Sequence, residues 1–178
     1  MILLELPSIP GDSLVEGYNN WIACQSVSWS ITREMVESAK AGTKDLFTGV
    51  SDLPPIEMGK SFDKSSPLLM KLAAGGGAVG GTARTGRIHL LTSGSGGDMI
   101  EDPRKQCYLQ FTLDDPVIAS WSISGEEDGR PTETLTVWYW KVYLLYKQFD
   151  GKTWSSAFEA GWDRKTHKPW TGVTWNDK

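Results

Sequence analysis

The chain has 178 residues, 18 Lys and Arg against 22 Asp and Glu, a net charge of -4 and a pI near 5.2. That length suits one domain, and the acidic balance argues against a nucleic-acid partner, which would call for a basic face. Two histidines, His89 and His167, and two cysteines, Cys24 and Cys107, make no metal-ligand spacing, and no segment nears the ~20 apolar residues of a membrane span.

Ile2 to Leu6 reads as a short strand ended by Pro7, and Pro10-Gly11-Asp12 as a turn. The N-terminal MILLELPSIPG has no basic stretch and only a short apolar run, so no secretory signal is expected. Asn20 to Thr32 alternates like one half-buried strand, with Ile22, Cys24, Ser26, Ser28 and Ser30 on one face. Glu34 to Pro55 is broken by Gly42, Gly49 and Pro54-Pro55. It reads as a long loop, functional or mobile, with a helical turn near Met35 to Ala39. Ile56 to Phe62 is another strand. The one convincing helix follows at about 67–74, with Ser66 as N-cap, Pro67 at the first helical position and Gly75 ending it.

Gly75 to Gly86 reads as a flexible connector. Arg87 to Thr92 and Cys107 to Leu113 read as paired strands joined by the loop Ser93 to Arg104. Val117 to Ser124, the polar turn Glu126-Glu127-Asp128-Gly129 and a long strand from Thr132 to Lys147 form a hairpin. The long strand is apolar on both faces. Leu135, Val137, Tyr139, Tyr143 and Leu145 share one parity; Trp138, Trp140, Val142, Leu144 and Tyr146 share the other. One face can fill a core, and the other needs a second layer or a second subunit. Ser155 to Asp163 is a last strand, and Thr166 to Lys178 a polar tail carrying Trp170 and Trp175. Seven or eight strands and one helix give a mainly β chain, closed as a barrel or packed as a sandwich.

No residue set for chemistry stands out. GGGAVGG at Gly75 to Gly81 lacks the Lys-Ser/Thr of a phosphate loop and follows a helix rather than a strand. Neither histidine sits in a nucleophile motif. Glu126, Glu127 and Asp128 lack a calcium-loop pattern, and Glu57 and Asp63 flank a strand without pairing. Cys24 and Cys107 sit in apolar runs and read as buried thiols, with a disulfide between them left open. The expectation is therefore no catalytic residues, no metal and no cofactor.

Three patterns in order carry a family resemblance. The first is Ile9-Pro10-Gly11 followed by a strand with Ser28-Trp29-Ser30. The second is Phe62-Asp63-Lys64-Ser65-Ser66-Pro67-Leu68-Leu69 at the start of the helix. The third is Ile118-Ala119-Ser120 through Pro131-Thr132-Glu133 to Tyr146, with Gly161-Trp162 closing. Together they resemble the haemolysin-coregulated protein (Hcp) family, which forms the inner tube of the bacterial type VI secretion system. The resemblance spans about residues 1–163 and implies a small β-barrel with one flanking helix, taken as a domain over 1–165 with the polar tail 166–178 beyond it. It further implies homohexameric rings stacked head to tail, sheath and tip components as partners, and effector proteins as candidate cargo in the pore. The subunit would be cytoplasmic before export and secreted without a cleaved signal peptide. The long 93–104 loop, the GGGAVGG segment and the tail beyond Trp170 depart from the family pattern. A phage-type tail-tube protein and a small-molecule-binding β-barrel are the alternatives.

Overall fold

In the computed structural model, which describes residues 1–37, 46–79, 84–92, 107–150 and 153–175, the strands gather into sheets of seven, four and two. The first half of the chain supplies β1 (Ile2–Glu5), β2 (Ile22–Cys24), β3 (Ser26–Ser28), β4 (Thr32–Glu37), β5 (Leu46–Asp52), β6 (Ile56–Ser61) and α1 (Ser66–Ala74). The second half supplies β7 (Thr85–Leu91), β8 (Cys107–Asp114), β9 (Val117–Ser124), β10 (Thr132–Trp138), β11 (Lys141–Tyr146), β12 (Phe158–Asp163) and β13 (Lys168–Pro169). The large sheet runs β13-β12-β11-β8-β7-β1-β2, the second runs β3-β6-β10-β9, and among the described residues β4 pairs only with β5.

The two larger sheets pack face to face. Leu4, Ile22, Ile88, Phe111, Leu113 and Val142 come from the large sheet, and Ile56, Met58, Leu135, Val137 and Ile118 from the small one. Leu69 of α1 joins the same cluster. The mainly β class and, among the described residues, the single helix stand as expected. The barrel is a loose description, because the sheets stack as layers and do not close.

Two expected strands turn out to be corners. The run Thr132 to Lys147 is not one strand: it leaves the small sheet after Trp138 and joins the large sheet at Lys141. Tyr139 fills the corner. Its hydroxyl accepts from Trp29 Nε1 at 2.7 Å and donates to the Pro54 carbonyl at 3.0 Å. The run Asn20 to Thr32 changes sheets at Gln25. Ile22 and Cys24 are buried before it, whereas Val27 and Trp29 point inward after it, so the inward parity flips.

Both faces of β11 are covered as far as Leu145, one largely by the core and one by the chain itself, while Tyr146 is exposed. Tyr143 lies behind the sheet, where Trp170 meets its ring edge-on at 5.7 Å. Trp175 packs against a second cluster of Leu3, Tyr18, Trp21, Leu91 and Cys107 on that side. The segment expected as a polar tail pairs with β12 through Lys168 and Pro169 and lays these two rings on the sheet. Close approach is possible because residue 161 is glycine. A Cβ there would strike the Tyr143 ring and lie 2.6 Å from the Trp170 carbonyl.

The helix begins one residue earlier than expected, with Ser65 as N-cap. Asp63 Oδ1 accepts from the Ser65 amide at 2.8 Å, and Ser66 Oγ accepts from the Asp63 amide at 2.9 Å. Gly75 ends the helix, its amide donating to the Lys71 carbonyl at 2.9 Å. Beyond it Gly77 to Val79 is not a free connector. The Ile118 amide donates to the Gly77 carbonyl at 2.7 Å, and Ala78 bridges Val117. The remainder of the glycine-rich segment, 80–83, and the 93–104 loop lie outside the described residues.

Candidate assembly surfaces

The residues that sequence reading weighed for chemistry are scattered. Glu57 is exposed, and Glu126, Glu127 and Asp128 form an exposed turn. His167 lies exposed in a turn with φ 52. His89 is buried, its Nδ1 3.2 Å from the Tyr18 hydroxyl and its ring 4.8 Å from that of Trp21. Burial, helped by the Arg87 charge, lowers its pKa from 6.5 to about 3. Cys24 and Cys107 are buried in different clusters, and burial pushes the Cys24 thiol up to about 12. Among the described residues no group of three His, Cys, Asp or Glu side chains could hold a metal.

One polar cluster escaped sequence reading. Lys60 and Glu133 lie opposite each other on β6 and β10, with both side chains turned into the interior. Lys60 Nζ sits 3.0 Å from Asp63 Oδ1 and donates to Ser66 Oγ at 3.0 Å. Burial raises the Asp63 pKa, but bonds from Ser65 and Lys60 outweigh it and leave the carboxyl below its usual 3.8. The cluster is spent inside the subunit, where it locks the helix start to two strands.

What remains on the outside are surfaces rather than a pocket. The small sheet turns a face of hydroxyls outward. Ser120, Ser122 and Ser124 on β9 stand opposite Thr136, Thr134 and Thr132 on β10. Ser61, Gly59 and Glu57 on β6 continue the rows, followed by Ser26 and Ser28 on β3. An exposed sheet face usually carries Lys and Glu; this one carries a single carboxylate. Its margins β3 and β9 have no further strand beside them among the described residues, apart from the start of β9 beside Ala78. Open edges of this kind are templates for another chain.

The β4–β5 hairpin is a second surface. Glu34 to Pro55, expected as a long loop with a helical turn, instead forms this ribbon over 34–37 and 46–52 and then runs irregularly to Pro55; 38–45 lie outside the described residues. Both faces of the ribbon are exposed, including Met35, Val36 and Val50. Polar and apolar residues therefore need not alternate, and no strand period could be read. At its root a groove of about 410 Å³ is lined by Trp29, Ile31, Leu53, Val142, Leu144 and Trp162. An arm with exposed Met35, Val36 and Val50 beside a groove lined largely by apolar side chains suits contact with protein.

Comparison with known proteins gives a family and a fold. The family model described as type VI secretion system effector, Hcp, matches residues 3–146. A solved type six secretion system protein superposes with a TM-score of 0.79 at 23% identity, covering 94% of this chain and 98% of its own. Hcp1 from Salmonella typhimurium gives 0.66 at 23% identity, covering 94% and 96%. A type VI secretion system effector from Yersinia pestis gives 0.67 at 17% identity, covering 92% and 99%. At such identities the structures speak for the fold. No curated protein sequence matches the chain.

Proposed function

The chain belongs to the Hcp family of the type VI secretion system, and we propose from that premise that it is a tube subunit, forming homohexameric rings that stack and leave the cell with their machine. The observation that carries this reading is the open pair of margins on the β3-β6-β10-β9 sheet. β3 and β9 lie on opposite sides of the same sheet, so joining one copy's β9 margin to the next copy's β3 margin is a head-to-tail contact. Such a contact generates a ring when the rotation closes. The large sheet and α1 stack on one side of the small sheet. The bulkier layer takes the larger radius, which leaves the hydroxyl face toward the axis.

On this reading the hydroxyl face is the wall along which effector proteins pass. The β4–β5 arm and the groove at its root are contacts between copies, with sheath and tip components as further partners. The role is structural and uses no catalytic group or cofactor. The subunit is cytoplasmic before export and needs no cleaved signal peptide. Export tests the proposal. The chain should appear in the medium of cells with an active type VI machine and stay inside when the sheath is inactivated. Release that ignores the machine, or no release with the machine running, contradicts it.

A further inference from the structure

The two ends of β10 carry opposite charge. At its start the β9–β10 turn exposes Glu126, Glu127 and Asp128, with Arg130 following. At the far end of this seven-residue strand, Trp138 and Trp140 meet edge-on at 4.5 Å between ring centroids. Arg164 lies 4.9 Å over the Trp138 ring, and its amide donates to the Trp140 carbonyl at 3.1 Å. The turn that follows exposes Lys165 and His167, the exposed Lys168 opens β13 directly after it, and Trp140 beside the turn is 42% exposed.

The carboxylates near this patch are already used. Asp163 Oδ1 accepts from the Lys165 amide at 2.8 Å and the Thr166 amide at 3.1 Å, which shapes the turn. Asp114 pairs with Lys141 at 3.3 Å. The cations of the turn therefore face outward beside an exposed indole, on a chain whose net charge is -4. Seven strand residues separate patch and acidic turn by roughly 23 Å. They point away from each other and cannot meet within one subunit.

We propose that the basic-aromatic patch at Trp140 and Arg164–Lys168 receives the Glu126–Asp128 turn of a second copy placed end to end along β10. This contact rests on the reading that copies stack head to tail and assigns the surfaces that stack. It commits to a second copy because both complementary surfaces are on this chain, at opposite ends of one strand. Such a contact sets register and association rate and weakens with salt, since exposed charges are screened beyond about 8 Å at 0.15 M.

The test uses charge exchange on the full chain. Glu126→Lys with Glu127→Lys is one variant, Lys165→Glu with Lys168→Glu a second, and the four changes together a third. All four positions are exposed, so each variant should keep the melting temperature of the wild type. Sedimentation should show rings of unchanged mass in every case. Each reversal alone should raise the concentration needed for stacks roughly tenfold or more, and the combined variant should restore it. Wild-type stacks should also shorten between 50 and 500 mM NaCl as the charges are screened. Normal stacking by either reversal, or no recovery in the combined variant, overturns the contact. A wild type that forms no rings at all contradicts the assembly reading itself and this contact with it.

Discussion

Lys60 Nζ lies 2.6 Å from Glu133 Oε2, and neither side chain touches solvent. The pair sits directly across β6 and β10, and Lys60 also reaches Asp63 and Ser66 at the start of α1. One ammonium thus holds two strands and a helix in register. Glu133→Ala should cost about 3–5 kcal/mol by leaving a buried cation short of its partner. Lys60→Met with Glu133→Leu should recover most of that. Urea unfolding of the three variants checks the order, and a Glu133→Ala variant as stable as the double one would contradict it.

Stability should fall in mild acid because of His89. Its folded pKa is about 3 against an ordinary 6.5, so between those values the unfolded chain binds a proton that the folded chain does not. The contribution is complete above about pH 6.5 and is lost progressively toward pH 3, by about 1.4 kcal/mol per pH unit. His89→Phe keeps an aromatic ring beside Tyr18 and Trp21. It should flatten the dependence between about pH 4.5 and 6, read as urea midpoints across that range. An unchanged slope would assign the acid sensitivity to other groups.

Gly161→Ala should strain the chain where the C-terminal segment crosses β12. The added methyl meets the Tyr143 ring and the Trp170 carbonyl, neither of which is the loose end of a flexible chain. The expected loss is about 1–3 kcal/mol. Amide exchange should speed up at Trp170, whose amide donates to the Gly161 carbonyl at 3.0 Å, while β6 stays protected. Uniform protection across the chain would show that the segment absorbs the methyl.

The β4–β5 arm should matter to assembly and not to folding. Met35→Asp with Val50→Asp places charges on side chains that are already exposed, so subunit stability should change by no more than about 0.5 kcal/mol. Stacking or ring closure should weaken visibly in sedimentation. A variant that assembles normally would leave the arm without the role assigned to it.

Much of this fold can be read from local chemistry. Val117 to Ser124 and the helix signals around Pro67 and Gly75 mark elements whose side-chain periods match their surroundings. The corner at Tyr139 and Trp140 cannot be read, because no Gly or Pro marks it and each flanking segment favours a strand by itself. Gln25 hides a second corner, since alternation continues in the sequence while the inward parity switches. Lys60 and Glu133 carry the residue types of a solvated surface. The one cue to their burial is that each interrupts an inward row, Ile56-Met58-Lys60 on β6 and Glu133-Leu135-Val137 on β10. The surfaces proposed for assembly are the hardest to read, because open edges and a hydroxyl face emerge only when four separate segments lie side by side.

Native mass across the micromolar range tests the central claim most directly. A homohexamer of the 19.7 kDa chain should appear at about 118 kDa, with heavier multiples as rings stack. A particle that remains a 19.7 kDa monomer throughout that range would contradict the account.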